Sequence, residues 1–155
     1  MDVTFRFATE PDTGLILEFI RELARYEKME NLVVADEDTL RDQLFVKRNA
    51  EVLFAVENGR EVGFALFFHN FSTFLGRAGL YLEDLYVKPE FRGRGIGKAI
   101  FRELGRIVRE RKCGRLEWWC LDWNEPSIRF YKSLGAEAMS DWTVYRIAGD
   151  ALKNL

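Results

Sequence analysis

Residues 80–97 decide the fold, and they read LYLEDLYVKPEFRGRGIG. The first eight of these residues are mostly apolar and β-forming, which is typical of a strand. A glycine-rich turn follows, and apolar residues then recur at helical spacing through residues 95–112. The stretch therefore predicts a strand, a tight turn and a helix N-terminus in direct succession.

The turn contains an Arg-x-x-Gly-x-Gly pattern at residues 92–97. Glycines let backbone N–H groups converge on an anion, and a helix N-terminus adds a favourable dipole, so the segment predicts a phosphate site. Two well-known phosphate loops do not fit. A Walker loop is excluded by Arg92 and Ala99, and the dinucleotide fingerprint is excluded by Lys98. Three glycines within five residues favour a phosphate site over a merely flexible turn.

Two adjacent acids, Glu83 and Asp84, lie inside the predicted strand. Side chains alternate between the faces of a strand, so one carboxylate shares a face with apolar groups whichever face is buried, unless a bulge intervenes. Burying a carboxylate is costly unless it is paired or neutralised. One interpretation is an exposed acid beside one paired with Lys or Arg; the other is a general base with a raised pKa. The pattern leaves both open.

The rest of the chain alternates strands and helices without a linker or a repeat. Strands are predicted at residues 4–8, 52–56, 62–68, 115–121 and 142–147, and helices from Pro11, after Asp36 and over residues 124–134. Asn58-Gly59 predicts a tight hairpin, and residues 72–79 a loop. Because hairpins are mixed with crossover units, the order predicts an α+β, or mixed α/β, fold in a single domain over residues 1–155.

Composition narrows the class of protein. The 155 residues are 48% apolar and 14% aromatic, which is enough to form a core. No apolar stretch approaches the roughly 20 residues of a membrane helix, and the N-terminus lacks a secretory leader, so a cytoplasmic location is expected. Two cysteines and one histidine fit neither a disulfide framework nor a metal site.

Charge is distributed unevenly along the chain. The net charge of −2 lacks the general footprint of a nucleic-acid-binding protein. Residues 88–115, however, hold ten Lys or Arg against three Glu, whereas residues 1–47 hold eleven acids against six bases. Solvated helix faces are the ordinary explanation. The alternative is a protein that binds a polyanion at one place and a cation at another.

A third motif, DWNEPSIRFYKSLGA at residues 122–136, begins with a good helix cap, Asn124. With the motif at residues 92–97, it resembles the GNAT superfamily of acyl-CoA-dependent N-acyltransferases over nearly the whole chain. RELARYE at residues 21–27, YLED at 81–84 and WNEPS at 123–127 are similar to the diamine (spermidine/spermine) and thialysine acetyltransferase branch. The resemblance implies a mostly antiparallel sheet, splayed between its fourth and fifth strands and flanked by about four helices.

The resemblance also implies a binding site for acetyl-CoA. Backbone groups of Leu85, Tyr86 and Val87 would bind the pantetheine arm, and Asn124 would contact it too. The pyrophosphate would be held by backbone amides of the loop, namely Arg92, Gly93, Arg94, Gly95, Ile96 and Gly97. Arg92, Arg94 and Lys98 would supply positive charge to the phosphates.

For catalysis, the resemblance implies that Glu83 is a base acting through water and that Tyr131 protonates the departing thiolate. An alkyl ammonium ion has a pKa of about 10.4, so it must lose a proton before it can attack a thioester. Tyr26, Glu27, Glu83 and Asp84 would line the amine site. From the residues alone, the favoured interpretation of Tyr131 is an amphipathic core tyrosine beside Phe130.

The sequence departs from the polyamine enzymes at Ser72-Thr73-Phe74, where they have an Asp-Pro-Trp run. A short diamine or a lysine-like acceptor is therefore at least as well supported as a polyamine. The alternatives are a non-catalytic acyl-CoA-binding or protein-interaction module and a protein amine acetyltransferase, since a fold does not fix a function. The branch also implies a homodimer, and neither nucleic acid nor membrane is expected as a partner.

Overall fold

Five strands form one sheet in the order β1-β2-β3-β4-β5 in the computed structural model, which describes residues 2–155. The first four strands pair antiparallel, and β5 pairs parallel to β4. The strands are β1 (Val3–Phe7), β2 (Glu51–Glu57), β3 (Arg60–Ser72), β4 (Arg77–Val87) and β5 (Leu116–Trp118). This arrangement confirms the predicted mixed, mostly antiparallel sheet.

The described residues also form five α-helices. They are α1 (Thr13–Tyr26), α2 (Glu37–Arg41), α3 (Ile96–Glu110), α4 (Glu125–Ser133) and α5 (Gly149–Lys153). Helix α2 continues into a π-helical turn, Asp42–Val46. The sequence pattern predicted the first four helices, but it did not predict the short α5.

The core fills both faces of the sheet. On one face Phe19 of α1 packs against Phe64, with ring centroids 5.1 Å apart, and against Phe54. Tyr86 belongs to the same cluster. On the other face Gly63 lies beside Ile100 of α3, because successive strand residues point to opposite sides. Strand β4 is therefore packed between α1 and α3, and its C-terminal end leads directly into the glycine turn.

Two turns explain the lengths of the central strands. Asn58 and Gly59 both have positive φ, 50° and 72°, as the primed hairpin turn requires. At the other end of β3, the Ser72 hydroxyl accepts a hydrogen bond from the Leu75 N–H at 3.1 Å. Strand β4 begins at Arg77, so the predicted loop at residues 72–79 is only a tight turn, and the two strands are longer than predicted.

The sheet separates between β4 and β5. The parallel ladder joins Leu80, Tyr81 and Leu82 to β5, whereas β4 continues to Val87. The described part of β5 thus leaves the last five residues of β4 without a strand neighbour on that side. This opening is the splay that the resemblance implies.

The chain divides into two compact units, the first ending at Trp119 and the second running from Cys120 to Leu155. The second unit contains α4 and α5. The predicted strand at residues 142–147 is wrong: in the described chain no ladder includes these residues, and Trp142 and Tyr145 are exposed. Their β-forming character favours an extended chain, but a strand also needs a neighbour for its backbone groups. The single domain over residues 1–155 stays a prediction.

Within residues 2–155, no helix combines the length and the apolar character needed to traverse a bilayer. In the same residues no three His, Cys, Asp or Glu side chains are grouped in a way that could hold a metal ion.

Candidate active site

A β-bulge in β4 places the two adjacent acids. The pairing with β3 shifts by one residue, so that Leu66 lies opposite Asp84 and Phe67 lies opposite Leu82. Glu83 is the extra residue of the bulge. Strict alternation of side chains therefore does not hold across it. Glu83 is exposed, whereas Asp84 is half-buried.

Burial gives Asp84 an unusual proton affinity. Loss of solvent is the main cause and the negative charges of Glu83 and Glu27 add to it, and together they raise the pKa of Asp84 to about 7. Burial also raises the pKa of Glu27, the residue that follows α1. The structure thus brings Glu27, Glu83 and Asp84, three of the residues predicted for the amine site, near one another.

Within residues 2–155, these three carboxylates have no basic partner. Among the described residues, no ion pair or hydrogen bond involves the side chains of Glu27, Glu83 or Asp84. The interpretation of the acid pair as one exposed acid and one paired with Lys or Arg is therefore wrong. Unpaired carboxylates attract a cation, and a carboxyl group with a pKa near 7 can exchange protons at neutral pH.

An aromatic wall lies beside the acids. The Tyr81 ring packs against Phe68 at 5.0 Å and edge-on against Trp119 at 5.8 Å. Burial raises the pKa of Tyr81, and the nearby charges of Glu83 and Glu117 add to the effect. Sequence reasoning did not select Glu117, because its position on β5 beside β4 depends on a long-range strand pairing.

The glycine turn has the geometry of an anion site. Gly93 and Gly95 have φ of 74° and 83°, which L side chains adopt only with strain. Gly95 is the N-cap of α3, and the Ala99 N–H is already bonded to its carbonyl. The first N–H groups of the helix, at residues 96–98, have no intrahelical acceptor and are oriented for an anion.

The three cationic side chains of the turn are in different environments. The Arg94 guanidinium donates to Glu57, which is buried, at 2.6 Å. Arg92 donates through Nε to the Val87 carbonyl at 2.8 Å. Lys98 is exposed and has no partner among the described residues. Lys98 is therefore the side chain that is most available to an additional anion.

Residues 17–136 match the model of the Acetyltransferase (GNAT) family. The chain belongs to the GNAT acetyltransferase family. It is similar to the thialysine N-epsilon-acetyltransferase of Bos taurus, with 38% identity over 99% of this chain and 96% of that protein. It is also similar to the L-ornithine N5-acetyltransferase of Arabidopsis thaliana, with 28% identity over 96% of this chain and 85% of that protein.

A solved structure shows the same GNAT fold. An integron cassette protein from the mobile metagenome of V. cholerae is 30% identical and has a TM-score of 0.82, over 99% of this chain and 97% of that one. The family and its named relatives make the present chain an N-acetyltransferase. In this GNAT enzyme Glu83 and Asp84 lie on β4, the predicted loop follows that strand, and Glu27 follows α1.

Two further predicted residues of this GNAT enzyme lie in its second unit. The Asn124 side chain accepts a hydrogen bond from the Ser127 N–H at 3.4 Å and so caps α4, as the sequence predicted. Tyr131 lies on the same helix, with its ring 5.7 Å from that of Phe130. The cap is a structural role. The contact of Asn124 with the cofactor and the acid role of Tyr131 stay predictions.

Proposed function

We propose that this enzyme transfers an acetyl group from acetyl-CoA to a primary amine of a small, lysine-like acceptor. The observation that carries the proposal is the group of unpaired carboxylates, Glu27, Glu83 and Asp84, on and beside the strand that leads into the anion-binding turn. The acidic side chains suit a cationic amine. The turn that follows the same strand suits the phosphates of the cofactor.

The cofactor has a binding surface along the end of β4 and the turn. Its pyrophosphate would accept hydrogen bonds from backbone N–H groups of residues 92–97, with Lys98 as a further cation. The pantetheine arm would bind the backbone of residues 85–87, where β4 has no β5 neighbour. In this proposal Asn124 makes another contact with the arm.

The carboxylates would bind the amine and accept its proton. Tyr26, Glu27 and Asp84 line the amine site in this proposal, and the exposed Glu83 removes the proton through a water molecule. The neutral amine then attacks the thioester carbonyl in a ternary complex. A strand N–H stabilises the oxyanion, and Tyr131 gives a proton to the departing CoA thiolate.

The acceptor is proposed from two independent features. The Ser72-Thr73-Phe74 turn lacks the acid that could bind the distal ammonium of a polyamine. Relatives at 38%, 35% and 28% identity are named for thialysine or ornithine, both of which are amino acids with a terminal side-chain amine. A lysine-like amino acid is therefore favoured over spermidine.

A panel of amines tests this proposal through the release of CoA thiol. Thialysine and ornithine should support the fastest release, putrescine a slower one and spermidine the slowest. Norleucine is the matched control, because it keeps the α-amine and the chain but lacks the terminal amine, and it should give no release above background. Binding of acetyl-CoA without acetylation of any amine would contradict the proposal and favour a binding module. Acetylation of peptide amines alone would indicate a protein acetyltransferase.

A further inference from the structure

One face of α1 is attached to the turn that follows β4. Phe19, Glu22 and Tyr26 recur at helical spacing and so lie on the same face. Each of them contacts a cation from residues 88–92. The two cations are Lys88 and Arg92.

Lys88 forms the first half of this attachment. Its ammonium group lies 3.2 Å from a Glu22 carboxylate oxygen and 4.8 Å from the centre of the Phe19 ring. The side chain is only 14% exposed, so water screens the ion pair less than it would at the surface. Its backbone N–H also donates to the Val62 carbonyl at 2.9 Å. Lys88 therefore fixes the middle of α1 to the end of the sheet.

Arg92 forms the second half, nearer the end of α1. Its guanidinium lies between two aromatic rings, 5.1 Å from the centre of Tyr26 and 5.0 Å from the centre of Tyr86. Its Nε donates to the Val87 carbonyl at 2.8 Å, which folds the side chain back over the turn. A planar cation that stacks and donates at once is a task for Arg and not for Lys.

The contact between Arg92 and Tyr26 joins the proposed cofactor loop to the proposed amine site. Arg92 opens the glycine turn, whose backbone amides are oriented for the cofactor phosphates. Tyr26 ends α1 and directly precedes Glu27, whose charge acts on Asp84. A displacement of the Arg92 side chain would therefore move the residues on the amine side.

We propose that Arg92 is a positioning residue that couples the cofactor loop to the amine site. When an anionic cofactor binds the turn, the backbone of Arg92 is fixed, and its guanidinium then holds Tyr26 and Glu27 in place for the amine. The proposal rests on the proposed function, since it takes these two residues as part of the amine site. It predicts that the cofactor and the amine each strengthen the binding of the other, because such coupling is reciprocal.

The test compares Arg92→Lys, Tyr26→Leu and the double variant. Arg92→Lys keeps the charge but loses the planar stacking and the Nε bond, and Arg109→Lys at the exposed end of α3 is the matched control. We expect Arg92→Lys to raise the KM of the amine about 5- to 10-fold, the size of a lost cation–π contact and hydrogen bond. The calorimetric Kd of acetyl-CoA should stay within about twofold, and Arg109→Lys should change neither value. The KM of the amine in the double variant should be no higher than in the single variant with the higher KM, because both substitutions remove the same contact.

A second measurement does not depend on catalysis. Binding of CoA should slow amide hydrogen exchange at residues 24–28 in the wild-type protein and in Arg109→Lys, but not in Arg92→Lys. Equal protection in all three proteins would overturn the proposal. Additive effects of Arg92→Lys and Tyr26→Leu on the KM of the amine would also overturn it. So would a weaker binding of acetyl-CoA by Arg92→Lys with an unchanged KM of the amine, since that result would make Arg92 a phosphate ligand. If the wild type acetylates no amine, the proposed function fails, and the exchange data alone decide the coupling.

Discussion

At Asp84, burial and two neighbouring negative charges act in the same direction, and they raise the pKa of this carboxyl group to about 7. The folded protein then keeps a proton that an unfolded chain gives up near pH 4. Unfolding therefore releases a proton throughout the window between about pH 4 and 7. Stability must fall as the pH rises through this window, because the folded state there binds more protons than the unfolded state.

We expect the wild-type melting temperature to fall between pH 5 and pH 8 by more than that of Asp84→Asn, because the amide cannot ionise. The difference should correspond to a few kcal/mol, on the order expected for such a shift in pKa. Asp150→Asn is the control, since Asp150 lies exposed on α5, and it should follow the wild type. If the melting temperatures of the wild type and Asp84→Asn change in parallel between pH 5 and pH 8, Asp84 is ionised throughout this range.

Tyr131 is proposed to protonate the departing thiolate. Tyr131→Phe removes only the hydroxyl group, so the fold and the packing against Phe130 should be preserved. If the hydroxyl protonates the leaving thiolate, kcat should fall by about 10²–10⁴-fold while the Kd of acetyl-CoA changes little. The loss should be smaller at high pH, because a free thiol has a pKa of about 8.5 and its thiolate then leaves without help.

Stopped-flow or steady-state release of thiol, with calorimetry for the cofactor, checks this prediction. A kcat within about a factor of two of the wild type would make Tyr131 a core residue. A collapse of cofactor affinity with kcat preserved would make it a binding contact.

The individual residues also show where sequence reasoning reached its limit. The adjacent acids at positions 83 and 84 were visible in the sequence, and so were the glycines on which the prediction of a phosphate site rests. The bulge at Glu83 was not visible, because it depends on the pairing of β4 with β3. The stacking of Arg92 between Tyr26 and Tyr86 was hidden for the same reason, since its partners come from distant parts of the chain.

At the scale of the elements, the strand, turn and helix at residues 80–97 were predictable because the determinants are local. Apolar alternation, glycines at positive φ and a helical apolar stripe each act within a few residues. The β2–β3 hairpin was predictable too, because Asn58-Gly59 determines a tight turn locally, whereas the tight turn between β3 and β4 was predicted as a longer loop. The segment at residues 142–147 was not, because β-forming residues determine an extended preference but not a pairing partner.

The glycine turn is proposed to bind the pyrophosphate of acetyl-CoA. Gly97→Glu should weaken the binding of acetyl-CoA at least tenfold, because it adds bulk and a negative charge where backbone N–H groups meet the pyrophosphate. Gly97→Ala is the matched control. Position 97 lies in the first turn of α3, where Ala is a good helix former, so this variant should lose far less affinity.

Calorimetry with acetyl-CoA measures both variants, and circular dichroism confirms that they fold. Unchanged affinity in a folded Gly97→Glu protein would place the pyrophosphate elsewhere.

For the whole molecule, the uneven charge along the chain has a structural explanation. Basic residues 88–115 include the glycine turn and α3, and the acidic N-terminal part includes α1, which ends beside Glu27. Some of these charges form ion pairs within the protein, such as Arg94–Glu57 and Lys88–Glu22. Among the described residues, the charges without an ion pair include Lys98 near the turn and Glu27, Glu83 and Asp84 on or beside β4. These charges suit an anionic cofactor and a cationic amine.

In the proposed mechanism, the β4 carboxylates receive the proton of an amine acceptor. The most direct measurement is kcat/KM for thialysine as a function of pH, in the wild type and in the Glu83→Gln, Asp84→Asn double variant. We predict a fall of about 100-fold or more near pH 7. The loss should be smaller at high pH, where more of the amine is already neutral, and the Kd of acetyl-CoA should be unchanged. A double variant that keeps the wild-type rate across the whole pH range would show that these carboxylates do not receive the proton.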